Sequence, residues 1–181
     1  MQPLGHLTLI CGPMFAGKST ALIERLRTHQ QQGRRVVAVK PARDDRYDDH
    51  RLATHAGGRF EALAIDAPGA LPVAVSGAEV VGIDEAHFFG AALVGPVLAL
   101  LGAGRRVLVA GLERDHRGEP FEPMPRLLCE ADEVVKLSGP CAVCGRPAVH
   151  SQRMTASRER IVVGGAGMYE PRCRACFQPG V

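Results

Sequence analysis

Gly12-Pro13-Met14-Phe15-Ala16-Gly17-Lys18-Ser19-Thr20 follows an apolar run, Leu7 to Cys11, and opens a segment with helical periodicity. The stretch fits G-x4-G-K-[ST] at every fixed position, in the strand-loop-helix setting that pattern requires. Gly12 and Gly17 let backbone N–H groups turn inward around a chain of phosphates, where a β-carbon would crowd the anion. Lys18 supplies a mobile charge for the β- and γ-phosphates and Ser19 a hydroxyl ligand for Mg²⁺. The helix that starts there adds the positive end of its dipole. A glycine-rich turn that only joins a strand to a helix is the plainer alternative, but chance matches rarely bring both flanks. The expectation is a nucleoside triphosphate site.

Downstream of the loop, Leu22, Ile23 and Leu26 form an apolar stripe at helical spacing, and Gly33 is placed to end the helix. Val36 to Val39 reads as a buried strand stopped by Pro41. Lys40 to Arg51 is a dense run of mixed charge, by composition a solvated loop. Its place after the second strand, on the edge where the phosphate loop lies, lets part of it reach a ligand. Phe60 to Ile65 is a modest strand candidate, and Pro68, Gly69 and Pro72 read as loop.

Val80-Val81-Gly82-Ile83-Asp84-Glu85 is an apolar strand ending in two carboxylates. That is the Walker B arrangement, in which the first acid helps hold Mg²⁺ and the second is free to polarise a nucleophile. Two acids capping the next turn is the alternative. Asp84-Glu85-Ala86-His87 also spells a helicase signature, but those motors use two such domains and 181 residues hold one. Ala91 to Leu101 reads as an apolar helix, Arg106 to Gly111 as a strand, Leu112 to Pro125 as a long irregular loop, Arg126 to Ala131 as a short helix and Val134 to Leu137 as a last core strand. The alternation predicts an α/β domain with a mostly parallel sheet flanked by helices.

The composition is that of an ordinary soluble globular protein, and a net charge of +3 spread along the chain argues weakly for a nucleic-acid surface. Nowhere do about 18 apolar residues run together, and no basic region precedes an apolar stretch at the N-terminus. A cytoplasmic protein is expected, with no membrane and no nucleic acid among its partners. From Gly139 the composition changes. Cys141-Ala142-Val143-Cys144 and Cys173-Arg174-Ala175-Cys176 each offer two thiols from a tight knuckle, and four thiolates suit a closed, structural zinc site. Disulfides or a redox site are the alternative. Between the pairs, Ala148 to Met154 and Arg160 to Val163 read as paired strands of a ribbon. Cys11 and Cys129 are expected to be buried small side chains.

With these features in place the chain closely resembles the type II, zinc-containing cytosolic thymidine kinases over nearly its whole length. The Pro-Met-Phe inside the phosphate loop, Lys40 to Tyr47, Asp84-Glu85-Ala86-His87-Phe88-Phe89, Gly111-Leu112 through Pro120-Phe121, Val163-Gly164-Gly165, Tyr169 and the cysteine pairs fall in family order. The resemblance implies a P-loop NTPase domain of RecA-like type over residues 1–138. Residues 139–181 would form a zinc-ribbon lobe carrying a lasso-like loop. It implies transfer of the γ-phosphate of ATP to the 5′-hydroxyl of thymidine, a homotetramer, and feedback inhibition by thymidine triphosphate. Carried over residue by residue, Glu85 is the catalytic base, assisted by Lys18 and Arg46. The nucleotide is held by Gly12 through Thr20 with Asp44, Arg46, Asp84 and His87, and Mg²⁺ by Ser19 and Asp84. Val162 to Gly164 read the pyrimidine edge, and Met14, Leu112 and Tyr169 crowd the 5-methyl group. Phe88, His116, Phe121, Ser151, Arg160 and Ile161 complete the nucleoside pocket. Three departures stand out: His87 replaces the usual Gln, His116 replaces an aromatic Phe that packs on the base, and Gly167 replaces a position often polar in relatives. Protonation of His116 near pH 6.5 would make nucleoside binding pH-dependent. The runner-up acceptor is another deoxynucleoside. A reading of a different class is a nucleic-acid-binding ATPase, but Tyr169 and Phe177 are the ribbon's only aromatics.

Overall fold

A computed structural model describes residues 4–43, 51–53, 59–156, 159–162 and 164–179. In chain order these form β1 (His6–Cys11), α1 (Lys18–Gln31), β2 (Val36–Pro41), β3 (Arg51–Ala53), β4 (Arg59–Glu61), β5 (Leu63–Ile65), α2 (Leu71–Ala74) and β6 (Val80–Ile83). There follow α3 (Val94–Gly102), β7 (Arg106–Gly111), α4 (Met124–Glu130), β8 (Glu133–Lys136), β9 (Gly139–Pro140), β10 (Pro147–Ala148), β11 (His150–Arg153) and β12 (Tyr169–Arg172).

Strand periodicity explains the layers. Along β1, Leu7, Leu9 and Cys11 turn to one face while Ile10 turns to the other. Val107 and Val109 oppose Leu108 and Ala110 in the same way along β7. One face packs on Leu71, Val75, Leu93, Val97, Leu100, Met124 and Leu127 from α2, α3, α4 and the turn before α3. The other packs on Leu22, Ile23 and Leu26 of α1. Burial on both faces is what makes these strands continuous apolar runs. The result is a six-stranded sheet, ordered β5-β2-β6-β7-β1-β8 and parallel throughout. In a parallel sheet every strand ends at the same edge, so the residues after β1, β2, β6, β7 and β8 converge there. Strand β7 lies between β1 and β6, with Cys11 opposite Gly111 and Ile83 opposite Val109.

Several local expectations are corrected. Phe60 to Ile65 is two strands: β4 pairs antiparallel with β3, and β5 joins the large sheet beside β2. Pro68 to Pro72 is a 3₁₀ turn leading into α2, Pro setting the backbone angle at each start. The helix expected over Ala91 to Leu101 begins in the last turn of a 3₁₀ stretch, Ala86–Leu93, itself broken at Gly90 with φ of 64°, and continues as α3 from Val94. Strand β8 is the sheet's end, bonded only through β1 and alternately half-buried and exposed, so it is not a core strand. The ribbon partner of β11 is β12, not Arg160 to Val163. Arg153 explains this, because its guanidinium takes the Glu159 and Arg160 carbonyls that a strand ladder would use. Cys11 is buried as expected, but Cys129 is exposed, its Sγ turned back to the Pro125 carbonyl one helical turn earlier.

Candidate active site

The loop from Gly12 to Gly17 leaves β1 and delivers Lys18, Ser19 and Thr20 as the first residues of α1. Gly12 has φ of 146°, and a Cβ there would lie 2.5 Å from the Leu137 carbonyl oxygen; Gly17 sits in the left-handed region with φ of 83°. Phe15 shares that region at 64° without being glycine, which marks a constrained turn. The loop is tied down from two sides. Gly12 N–H donates to the buried carboxylate of Glu113 at 2.8 Å, and Met14 N–H donates to Ser151 Oγ at 3.0 Å. Lys18 is buried, and its ammonium donates to the Pro13 carbonyl of the same loop at 2.7 Å.

Asp84, immediately after β6, is buried and accepts a hydrogen bond from Ser19. Burial, reinforced by the Glu85 carboxylate, pushes Asp84 up to about 7, while Ser19 and the Lys18 charge pull the other way. The half-buried Ser19 hydroxyl and the buried Asp84 carboxylate form an oxygen donor pair that suits a hard divalent cation, whose charge would relieve that pressure. Glu85 occupies the left-handed region with φ of 48°, and its N–H donates to Asp84 Oδ1 at 2.9 Å. The loop, Lys18, Ser19, Asp84 and Glu85 are therefore brought together at the carboxyl edge of the sheet.

His87 was expected among the nucleotide contacts. Its buried ring lies between Phe88, at 4.3 Å, and Phe121, at 5.1 Å, with Nε2 3.5 Å from Glu85 Oε2. Leu112 N–H reaches its Nδ1 at 3.3 Å. Beside Phe121 of this wall the 159–162 segment is pinned in place. The buried Arg153 guanidinium holds the carbonyls of Glu159 and Arg160 and the Tyr169 hydroxyl, which in turn donates to the Val162 carbonyl. Arg160 donates to Asp115 Oδ2 at 2.8 Å and to the Pro120 carbonyl, and stacks its guanidinium over Phe121. Ile161 is partly exposed, and Gly164 leaves room for Met168, whose Sδ would lie 2.4 Å from a Cβ there.

His116 is buried, with Nδ1 lacking a hydrogen-bond partner among the described residues. Burial and the Arg153 charge lower its pKa below 6.5, which moves the expected pH dependence downward. Asp44, Arg46 and Val163 lie outside the described residues. Two residues that organise the site escaped sequence reasoning. Glu113 was legible in principle, as a carboxylate two residues past a strand end on the ligand edge. Arg153 gave no signal, since a charged residue on a ribbon strand ordinarily faces water.

In the C-terminal part, the four sulfurs of Cys141, Cys144, Cys173 and Cys176 lie within 4.8 Å of one another, and Cys144 is 3.6 Å from both Cys173 and Cys176. Tetrahedral zinc with Zn–S of about 2.3 Å spaces its sulfurs by about 3.8 Å, so the cluster fits the ion. Arg146 donates to Cys144 Sγ at 3.4 Å and lowers that thiol's pKa, favouring the ligating thiolate.

The model of the family described as "Thymidine kinase" matches residues 5–177. A thymidine kinase of Rhodothermus sp. is 45% identical over 176 residues, which covers 97% of this chain and 83% of that protein. A thymidine kinase of Coprothermobacter proteolyticus is 45% identical over 175 residues, 93% of this chain and 88% of that protein.

Proposed function

Because the chain belongs to the thymidine kinase family, we propose that it transfers the γ-phosphate of ATP to the 5′-hydroxyl of thymidine, giving thymidine monophosphate. The observation that carries this reading is the meeting of Lys18, Ser19, Asp84 and Glu85 at one sheet edge, linked through His87 and Phe121 to a pinned segment that includes Arg160 and Val162. Phosphoryl transfer has a loose transition state, so the protein's task is alignment and charge neutralisation. The phosphate loop cradles the triphosphate, and Lys18 exchanges the Pro13 carbonyl for phosphate oxygens. Ser19 and Asp84 would hold Mg²⁺, which would supply positive charge against the phosphates. Glu85 accepts the proton of the 5′-hydroxyl, and Arg46 steadies the transferred group.

In this reading residues 1–138 bind the nucleotide, and residues 139–181 carry a structural zinc and close over the base. Val162 to Gly164 face the pyrimidine edge; Met14, Leu112 and Tyr169 fill the space around the 5-methyl group. Phe88, His116, Phe121, Ser151, Arg160 and Ile161 bound the pocket. Family membership also supports a homotetramer, inhibition by thymidine triphosphate and residence in the cytoplasm. Light scattering and an inhibitor titration test the first two, and fractionation of cells the third. No helix among the described residues is long and apolar enough to cross a membrane.

The direct test is a nucleoside panel with labelled ATP and Mg²⁺. Thymidine is expected to be phosphorylated best. Deoxyuridine, lacking one methyl, is expected to lose about 1–3 kcal/mol in kcat/KM. Equal kcat/KM for the two nucleosides would refute the methyl pocket, and a better purine substrate would refute the acceptor.

A further inference from the structure

We propose that His87 is a positioning residue for Glu85, acting as the middle member of a chain from the Leu112 N–H through the imidazole to the carboxylate. The inference rests on Glu85 as the group that takes the proton from the nucleoside hydroxyl. The ring's two nitrogens face different partners. A backbone N–H can only donate, so Leu112 N–H at 3.3 Å makes Nδ1 the acceptor and leaves the ring's proton on Nε2. Nε2 is the nitrogen that lies 3.5 Å from Glu85 Oε2, a separation that a small carboxylate rotation closes to a hydrogen bond when substrate tightens the site. The ring itself has little freedom. It is 3% exposed and held between Phe88 and Phe121, so the donor it presents is fixed in space.

The backbone of Glu85 sits in the left-handed region directly after Asp84, with its N–H tied to Asp84 Oδ1, so its carboxylate leaves the chain in a direction that turns Oε2 toward the His87 ring. A donor on Oε2 fixes the carboxylate plane and directs Oε1 to receive the hydroxyl proton as the 5′-oxygen bonds to the γ-phosphorus and the γ-phosphorus bond to the β-phosphate oxygen breaks, releasing ADP. Leu112 thereby serves two sides of the reaction. Its side chain belongs to the proposed base pocket, and its N–H fixes the tautomer that orients the proton acceptor.

The test separates the two halves of the chain by substitution. Asn at position 87 places a carbonyl where Nδ1 was, keeping the Leu112 bond, but is too short to reach Glu85. Gln places an amide N–H where Nε2 was, and Leu keeps bulk without a donor. For the zinc-loaded full-length protein, H87N and H87L are expected to lower kcat roughly 10- to 100-fold, because misalignment by about 1 Å carries that penalty. KM for ATP and for thymidine should change little, and H87Q should recover most of the loss. Thermal unfolding of each variant reports folding separately. In the parent protein, nitrogen NMR should find the His87 ring neutral with its proton on Nε2, a measurement that needs no variant beyond H87Q for assignment. Parent-like kcat in H87N and H87L, or a proton on Nδ1, overturns the proposal. A parent protein that does not phosphorylate thymidine, or an E85Q variant as fast as the parent, overturns the underlying reading instead.

Discussion

His116 shows how one side chain's surroundings rewrite its chemistry. From sequence alone it reads as a ring that titrates near its ordinary value. In the fold, burial and the neighbouring Arg153 hold it below 6.5, with Arg117 adding to the effect and Asp115 and the Arg160 backbone opposing it. A lowered pKa means the native state prefers the neutral ring. The unfolded chain takes up the proton first as pH falls through about 6.5, and native stability is lost from there downward. His150, stacked on Phe177 and also lowered by burial, adds to the same slope. The expected outcome is a melting temperature that declines as pH drops below 6.5, with a smaller decline in H116F. Identical slopes for H116F and its parent would show that His116 titrates as freely in the fold as in the unfolded chain. This shift was not legible in the sequence because Arg153 is 37 positions away and reaches His116 only through the ribbon.

At the scale of elements, the phosphate loop and the two-acid strand end were legible because their chemistry is local: a glycine pattern and an acidic pair each sit within a few residues of a strand. What remained illegible was pairing. The apolar run Phe60 to Ile65 contains no mark of the break at Ala62 that sends its halves to different sheets. The ribbon partner of β11 was decided by a guanidinium, not by strand propensity. Gly12 gives the sharpest prediction here. Its φ of 146° is unfavourable for any residue with a side chain, and the Leu137 carbonyl blocks a Cβ. Gly12→Ala is expected to cost about 1–3 kcal/mol in stability and to weaken ATP binding, since the strained loop must shift. Thermal unfolding and nucleotide titration read both effects, and a variant with parent stability would mean that the loop relaxes freely.

On the whole-molecule scale the two parts of the chain are joined at the site itself. Ser151 of β11 accepts the Met14 N–H of the phosphate loop, and β12, the partner of β11, is fastened to the cysteine knuckle through Ala142 N–H and the Pro171 carbonyl. Removing zinc, by chelation or by Cys173→Ser, is expected to lower the melting temperature and raise the thymidine KM about tenfold or more, a loss of about 1.4 kcal/mol per decade. ATP binding should survive, since Lys18 and the phosphate loop are carried by β1 and α1, whose core is separate from the cysteine cluster. Parallel loss of both ligands would show that the ribbon is needed for the whole fold. The central claim is that a phosphate held over Lys18 is handed to a hydroxyl beside Glu85. It is tested most directly by mixing zinc-loaded protein, Mg²⁺, labelled ATP and thymidine and following a single turnover in the parent and in E85Q. The account predicts labelled thymidine monophosphate from the parent, and from E85Q a rate lower by about 10²–10⁴ with ATP still bound. No monophosphate from the parent, or an unchanged rate in E85Q, would contradict it.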